Sequence, residues 1–215
     1  MNPSRMGSAC RALAFDLDGT LVDSETVLRE ALVAAAEAQG MTLPGQNAEG
    51  DAWRGIPLAE ICASLSASAA AAERLEAEVR LRFWQSTALD PMPGVRELLR
   101  GVSRPRVVVT SARRAVAERL LRRAGLADGW RTVITADDVP AGRVKPWPDL
   151  YVAAASALAV PASAIWAFED SPPGARAARA AGLTVVAVAP QPFAGPFDLQ
   201  VNDLRGFSLP AEATT

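Results

Sequence analysis

The sequence predicts an α/β protein: a parallel sheet covered on both faces, with a small all-helical domain inserted into it. Two observations carry this reading. Short apolar or β-branched runs recur along the chain and alternate with helical stretches, the pattern of parallel strands joined by crossover helices. Between about Ser24 and Ala88 the alternation stops, and helical sequence runs on without a convincing strand.

The strand signals are Arg11-Ala-Leu-Ala-Phe15, Arg106-Val-Val-Val-Thr110, Thr132-Val-Ile134, Ala164-Ile-Trp-Ala-Phe168 and Leu183-Thr-Val-Val-Ala-Val188. They are apolar throughout rather than alternating, as strands buried on both faces must be. Between them, apolar residues spaced by three and four predict helices over Val95 to Leu99, Ala115 to Ala124, Leu150 to Leu158 and Ala175 to Ala181. Gly125 and Gly182 stand where helix C-caps belong. In the inserted region, Val27 to Gln39 and Ala69 to Trp84 are rich in alanine, leucine and paired charges. Pro91 and Pro93 mark its exit. The expected organisation is therefore a discontinuous core, 1–22 with 90–215, and a helical domain over 23–89.

Composition narrows the function. Of 215 residues, 50% are hydrophobic and 21% charged, which suits a soluble chain with a sizeable core. The formal net charge is −2 and no basic run could track a phosphodiester backbone, so nucleic acid is not an expected partner. No stretch approaches the ~20 apolar residues of a membrane span. Met1 to Arg11 has no signal-peptide core, and the two cysteines, Cys10 and Cys62, form neither a metal-type cluster nor a disulfide framework. A cytoplasmic location is expected. Histidine is absent, which excludes Ser-His-Asp and Cys-His catalysts and any imidazole metal site. Lys145 is the single lysine among 22 basic residues, so its retention asks for a reason.

Ligands of open parallel sheets bind outside the carboxyl ends of the strands. Four polar clusters fall at such ends: Asp16 with Asp18, Thr110 with Ser111, Lys145 after the third strand, and Glu169 with Asp170. Carboxylates brought together repel unless a cation sits among them. Oxygen donors without histidine or thiolate suit Mg²⁺, which takes one or two carboxylates together with substrate phosphate. The Thr110 and Ser111 hydroxyls and the Lys145 ammonium are suited to hold the remaining phosphoryl oxygens.

At these residues the chain resembles the haloacid dehalogenase superfamily, in its phosphatase branch, and more narrowly the β-phosphoglucomutase-like group. Phe-Asp-Leu-Asp-Gly-Thr-Leu-Val-Asp-Ser-Glu (15–25) is similar to the first motif of that family. Val-Val-Val-Thr-Ser (107–111) resembles the second, Val144-Lys145-Pro146 the third, and Phe168-Glu169-Asp170-Ser171-Pro172-Pro173-Gly174 the fourth. The resemblance implies a Rossmann-like core with a small helical cap that closes over the site. It implies that Asp16 attacks phosphorus to form an aspartyl-phosphate, and that Asp18 is the general acid and base. It further implies Mg²⁺ held by Asp16, the Asp18 carbonyl and Asp170, with Glu169 a ligand or just outside, and phosphate bound by Thr110, Ser111 and Lys145. The implied partner is a small phosphorylated metabolite (a sugar, polyol or glycolate phosphate), and the expected state is a monomer or weak homodimer.

Departures from family patterns narrow the class. Asp18 is present, whereas dehalogenases of the superfamily lack it. The inserted region has no lysine for the Schiff base of phosphonate-cleaving relatives. The mutases use a cap histidine and basic residues, where this chain has no histidine and carries Leu28 and Leu58 near two of those positions. Hydrolysis is expected, with a phosphomutase or a catalytically silent binding protein as the alternatives. Simpler readings compete locally. Thr110-Ser111 could cap a helix, Glu169-Asp170-Ser171 could be an acidic helix start, and Asp16 to Thr20 could be a turn. In the insert, Asp51 to Pro57 resembles a specificity loop in which Arg54 is a weak candidate for an anionic substrate. Trp53 and Trp84 read as packing, and Asp23 and Glu25 as capping residues.

Overall fold

Ala12–Phe15 forms β1, and all of its side chains are buried, as a run without polar alternation requires. The structure, a computed structural model, describes residues 10–41, 43, 58–87 and 89–210. β1 pairs in parallel with β2 (Arg106–Val109) on one side and β4 (Ile165–Glu169) on the other. β3 (Thr132–Ile134), β5 (Thr184–Val188) and β6 (Leu199–Val201) complete a six-stranded parallel sheet in the order β3-β2-β1-β4-β5-β6. The chain moves outward from β1 to β3 and then returns to the opposite edge of β1 as β4. The strand order therefore reverses between β1 and β4, where crevices open at the carboxyl ends of such sheets.

Helices α4 (Val95–Gly101), α5 (Arg114–Arg123), α6 (Asp149–Leu158) and α7 (Pro172–Ala180) alternate with the strands. Gly125 and Gly182, at φ 66° and 84°, end α5 and α7 in the left-handed conformation expected of C-cap glycines. Ala12, Ala14 and Ala167 share a buried cluster with Leu150, Tyr151 and Ala154 of α6 and with Ala175 and Ala178 of α7. Small side chains on the strands let two helices lie close to that face. On the other face Phe15 and Phe168 stack at 4.6 Å, with Trp130 and Phe207 edge-on to them.

Arginines close several helix ends, where the last carbonyls lack partners within the helix. Arg106 donates to Leu99 O at 2.6 Å and Val102 O at 3.3 Å, beside the end of α4. Arg96 reaches Ala124 O at 2.7 Å after α5, and Arg131 reaches Ala157 O at 2.6 Å in α6. The planar guanidinium fork serves this role better than a single ammonium, which accounts for part of the bias towards arginine.

The structure adds a strand and an α-helix to the sequence reading. β6 was too short to show a period, lying after a stretch rich in proline and glycine; Asp198 fixes it, donating from its N–H to Val185 O and accepting Val185 N–H on its carboxylate, both at 2.8 Å. The other is α2 (Leu58–Leu65), only eight residues long. β4 also runs one residue further than the sequence suggests, so Glu169 is its last residue rather than the first beyond it.

The chain divides into two compact units, Met1–Asp23 with Asp90–Thr215, and Ser24–Leu89. In the first, the outgoing and returning segments run side by side: Asp23 N–H donates to Asp90 O at 3.0 Å and Met92 N–H to Leu21 O at 2.9 Å. The second contains α1 (Ser24–Ala38), α2 and α3 (Ala69–Gln85), with α3 packed on both of the others. Its core comprises Val27, Ala31, Leu32, Ala35 and Ala36 of α1, Ile61 and Cys62 of α2, and Leu75, Val79 and Phe83 of α3. Trp84 packs edge-on against Phe83 at 4.9 Å, and Glu25 lies in the first turn of α1.

Beyond β3, Thr135 caps a 3-10 turn over Ala136–Asp138, and the Asp138 carboxylate accepts the Thr135 N–H at 2.7 Å and Arg114 at 2.7 Å. Partial burial raises the Asp138 pKa, but the Thr135 and Arg114 hydrogen bonds outweigh it and hold the carboxyl below its usual range. A depressed folded pKa gives stability that is complete above the unfolded carboxylate value and lost as pH falls through the folded one. Asp138→Asn is expected to cost about 1 kcal/mol at pH 7, a typical cap loss, in urea denaturation. The difference from the parent should shrink below about pH 4.

Candidate active site

Asp16 is the first residue beyond β1, and its N–H donates to Phe168 O at 3.0 Å, which places it beside the end of β4. Thr110 stands at the same level beyond β2, its N–H on Ile134 O at 2.9 Å. Both positions follow from register: Phe15 lies between Val108 and Phe168. The parallel ladder thus delivers Asp16, Thr110 and Glu169 to one edge at the point where strand order reverses.

Lys145 enters from the loop before α6. Its side chain is only 6% exposed, and its ammonium bonds Asp16 Oδ1, Glu169 Oε1 at 2.6 Å and Val109 O at 3.0 Å. Three acceptors use all three of its donors. Burial works against its charge, but Asp16 and Glu169 outweigh burial and hold the ammonium protonated beyond the ordinary lysine range. For Asp16, burial pushes the carboxyl well above the usual carboxylate range, Lys145 pulls it down, and Glu169, Asp170 and Asp18 push it up again. One ammonium does not balance the acids around it.

Asp16, Glu169 and Asp170 are all buried, and each offers a carboxylate oxygen within 4.8 Å of the others. A hard divalent cation fits this donor set, which has no soft or imidazole ligand. Two glycines make room for these carboxylates. Gly19, at φ 80°, has the Asp170 carboxylate where a Cβ would stand, and Gly174 has the Glu169 carboxylate there. Any side chain at either position would displace a carboxylate of the cluster.

Glu169 is held from both sides. Its Oε1 accepts the Tyr151 hydroxyl at 2.5 Å as well as Lys145, and its Oε2 accepts the Ser171 hydroxyl at 3.1 Å. Ser171 is also the N-cap of α7, accepting Gly174 N–H at 3.2 Å. The helix-start reading of this segment is thus true, and the same serine braces the carboxylate. The Thr110 hydroxyl donates to Asp18 Oδ2 at 3.4 Å and accepts Ala112 N–H at 3.0 Å. Thr110 does not cap α5, whose N-cap is Arg113; Asp137 receives the Arg114 N–H instead, at 2.8 Å.

The structure thus brings Asp16, Asp18, Thr110, Lys145, Glu169 and Asp170 together. Ser111 is adjacent in sequence but exposed, outside the bonds described above. Arg54, Trp53 and the Asp51 to Pro57 segment lie outside the described residues. Sequence reasoning missed Tyr151. It sits at an apolar-spaced position of α6 and reads as core; the one available signal was that it is the only tyrosine in the chain.

A family model described as haloacid dehalogenase-like hydrolase matches residues 10–182. The chain belongs to the haloacid dehalogenase-like hydrolase family. Among curated relatives of this hydrolase, a validoxylamine A 7'-phosphate phosphatase from Streptomyces hygroscopicus subsp. limoneus is 39% identical over 183 residues, covering 80% of this chain and 82% of its own. A fructose-1-phosphate phosphatase from Escherichia coli is 34% identical over 184 residues, covering 82% and 95%. Of solved structures, CbbY from Rhodobacter sphaeroides in complex with phosphate superposes with a TM-score of 0.67 at 25% identity, covering 91% of this chain and 95% of that one. β-Phosphoglucomutase-like members of the family are also among the structural neighbours. Among the described residues, no helix of this family member is long and apolar enough to cross a membrane.

Gly174→Ala tests the close approach at Glu169. Overpacking of this kind costs about 1–3 kcal/mol, and chemical denaturation is expected to show a loss in that range, where an ordinary Gly-to-Ala change within a helix stabilises.

Proposed function

We propose that the chain is a Mg²⁺-dependent phosphatase of small phosphorylated metabolites, working through an aspartyl-phosphate on Asp16. One observation supports this above the rest: Asp16 stands at the switch point of the sheet, in contact with the sole lysine and beside two further buried carboxylates. A nucleophile, a cation for phosphoryl oxygens and a cation-binding acid cluster meet at one place.

In this reading an Asp16 carboxylate oxygen attacks phosphorus, and the ester oxygen leaves with a proton from Asp18. Water, deprotonated by Asp18, then attacks the acyl phosphate and returns Asp16. Asp18 accepts the Thr110 hydroxyl, which orients it. Lys145 turns its donors from Asp16 to phosphoryl oxygens as substrate arrives, with Thr110 as a second donor. Asp16, Asp170 and the Asp18 carbonyl would hold Mg²⁺, with Glu169 as a direct or outer partner. The ion would supply charge neutralisation for the phosphoryl group and the crowded carboxylates.

The substrate class is a sugar, polyol or glycolate phosphate. Support comes from the two relatives named for phosphorylated sugar-like substrates and from the solved relative that holds phosphate. The absence of histidine weighs against a phosphomutase.

Phosphate release is to be measured across a panel of such esters with Mg²⁺. Asp16→Asn is expected to lower kcat by about 10⁴-fold or more, and Asp18→Asn by about 10²- to 10⁴-fold. Full activity in Asp16→Asn would sink the mechanism. Interconversion of two sugar phosphates without net release would identify a mutase, and binding without turnover a silent binding protein. Chelation with EDTA is expected to abolish release, and added Mg²⁺ to restore it.

A further inference from the structure

We infer that Tyr151 is a positioning residue which, through Glu169, sets how freely Lys145 can leave its resting partners for a phosphoryl group. This rests on the phosphoryl site proposed above and adds a control to it.

Tyr151 is fully buried in α6, and its hydroxyl shares one oxygen with the lysine: Glu169 Oε1 accepts Tyr151 at 2.5 Å and Lys145 Nζ at 2.6 Å. The Lys145 ammonium also lies 5.5 Å from the centroid of the Tyr151 ring. Glu169 is entirely buried, so each donor it receives bears strongly on how tightly it holds the others. With the Tyr151 hydroxyl on Oε1 and the Ser171 hydroxyl on Oε2, the negative charge of Glu169 is spread over three donors and its carboxylate cannot rotate freely.

Removing the hydroxyl leaves Oε1 to the ammonium alone. Glu169 then claims Lys145 more strongly, and less of its donor capacity can pass to a phosphoryl oxygen. The hydroxyl thus competes with the lysine for one acceptor and so keeps the lysine available. Its effect passes entirely through Glu169, which distinguishes it from a side chain that merely fills the core beside α6.

Tyr151→Phe keeps the ring and its packing. Inorganic phosphate is the probe, titrated calorimetrically in saturating Mg²⁺ into the parent, Tyr151→Phe, Glu169→Gln and the double variant. Tyr151→Phe is expected to bind phosphate about tenfold more weakly, the scale of one hydrogen bond to a charged group. In the Glu169→Gln background the same change is expected to have no further effect. An unchanged affinity in Tyr151→Phe, or an equal loss in both backgrounds, overturns the inference. A parent that binds no phosphate at all overturns the phosphoryl site itself, a different failure. A spectroscopic readout is also available, because chain grown with 3-fluorotyrosine carries one label. Its single fluorine resonance is expected to shift during the phosphate titration and saturate with the calorimetric affinity; a resonance that stays put while phosphate binds overturns the link between Tyr151 and the site.

Discussion

The Lys145 ammonium, bonded at once to Asp16, Glu169 and the Val109 carbonyl, is the interaction on which the arrangement of the site depends. It ties the ends of β1, β2 and β4 to a loop that no strand register fixes. It also stands against four acids, since Asp18 and Asp170 join the other two in raising the charge of the pocket. A buried pair of this kind is weak evidence for stability in itself, because desolvation offsets much of its attraction; removing one partner is what costs heavily. The site is therefore held under tension by its own excess of negative charge. Such an arrangement contributes little to folding and suits a centre that receives a cation and a phosphoryl group, whose charges complement one another there.

Most of the fold was legible because its signals are local. Five apolar runs read as doubly buried strands, and the residue after each run could be placed at a carboxyl end without coordinates. Asp16 just after its run, Thr110 at the end of its run and the Glu169-Asp170 pair after Phe168 follow from that alone. The sequence reading also set Lys145 after the third strand, but it lies well beyond β3, past a 3-10 turn and in the loop before α6; its uniqueness and the motif around it marked it out. Tyr151 was illegible, because helical periodicity assigns it to the core correctly and says nothing about where its hydroxyl points. Gly19 and Gly174 were likewise visible as motif letters, but their meaning lies in which carboxylate occupies the space a Cβ would take. Close approach between residues distant in sequence is a tertiary fact that no local pattern encodes.

The same sheet makes opposite demands at its two edges. At the carboxyl edge, strand ends present carboxylates and hydroxyls to a shared crevice. Elsewhere, arginines turn inward to helix carbonyls, as Arg106 does at the start of β2 and Arg131 just ahead of β3. Those guanidiniums serve helix termini and leave the crevice its acidity. Five-donor planar cations suit carbonyl clusters, and a compact ammonium suits an oxygen of a carboxylate or phosphate. The chain sorts its basic residues by that geometry, with 22 in all and one reserved for the site.

That sorting gives the protein an unusual chemical selectivity. Reagents that acylate side-chain amines meet a single target, and it is sealed beneath carboxylates with all three of its protons engaged. Guanidiniums elsewhere on the chain do not compete for such reagents at neutral pH, because they stay protonated. Acylation of the side chain therefore awaits both an opening of the ion pair and loss of a proton from the ammonium. Its rate reads directly on how often the resting pocket lets its one lysine go.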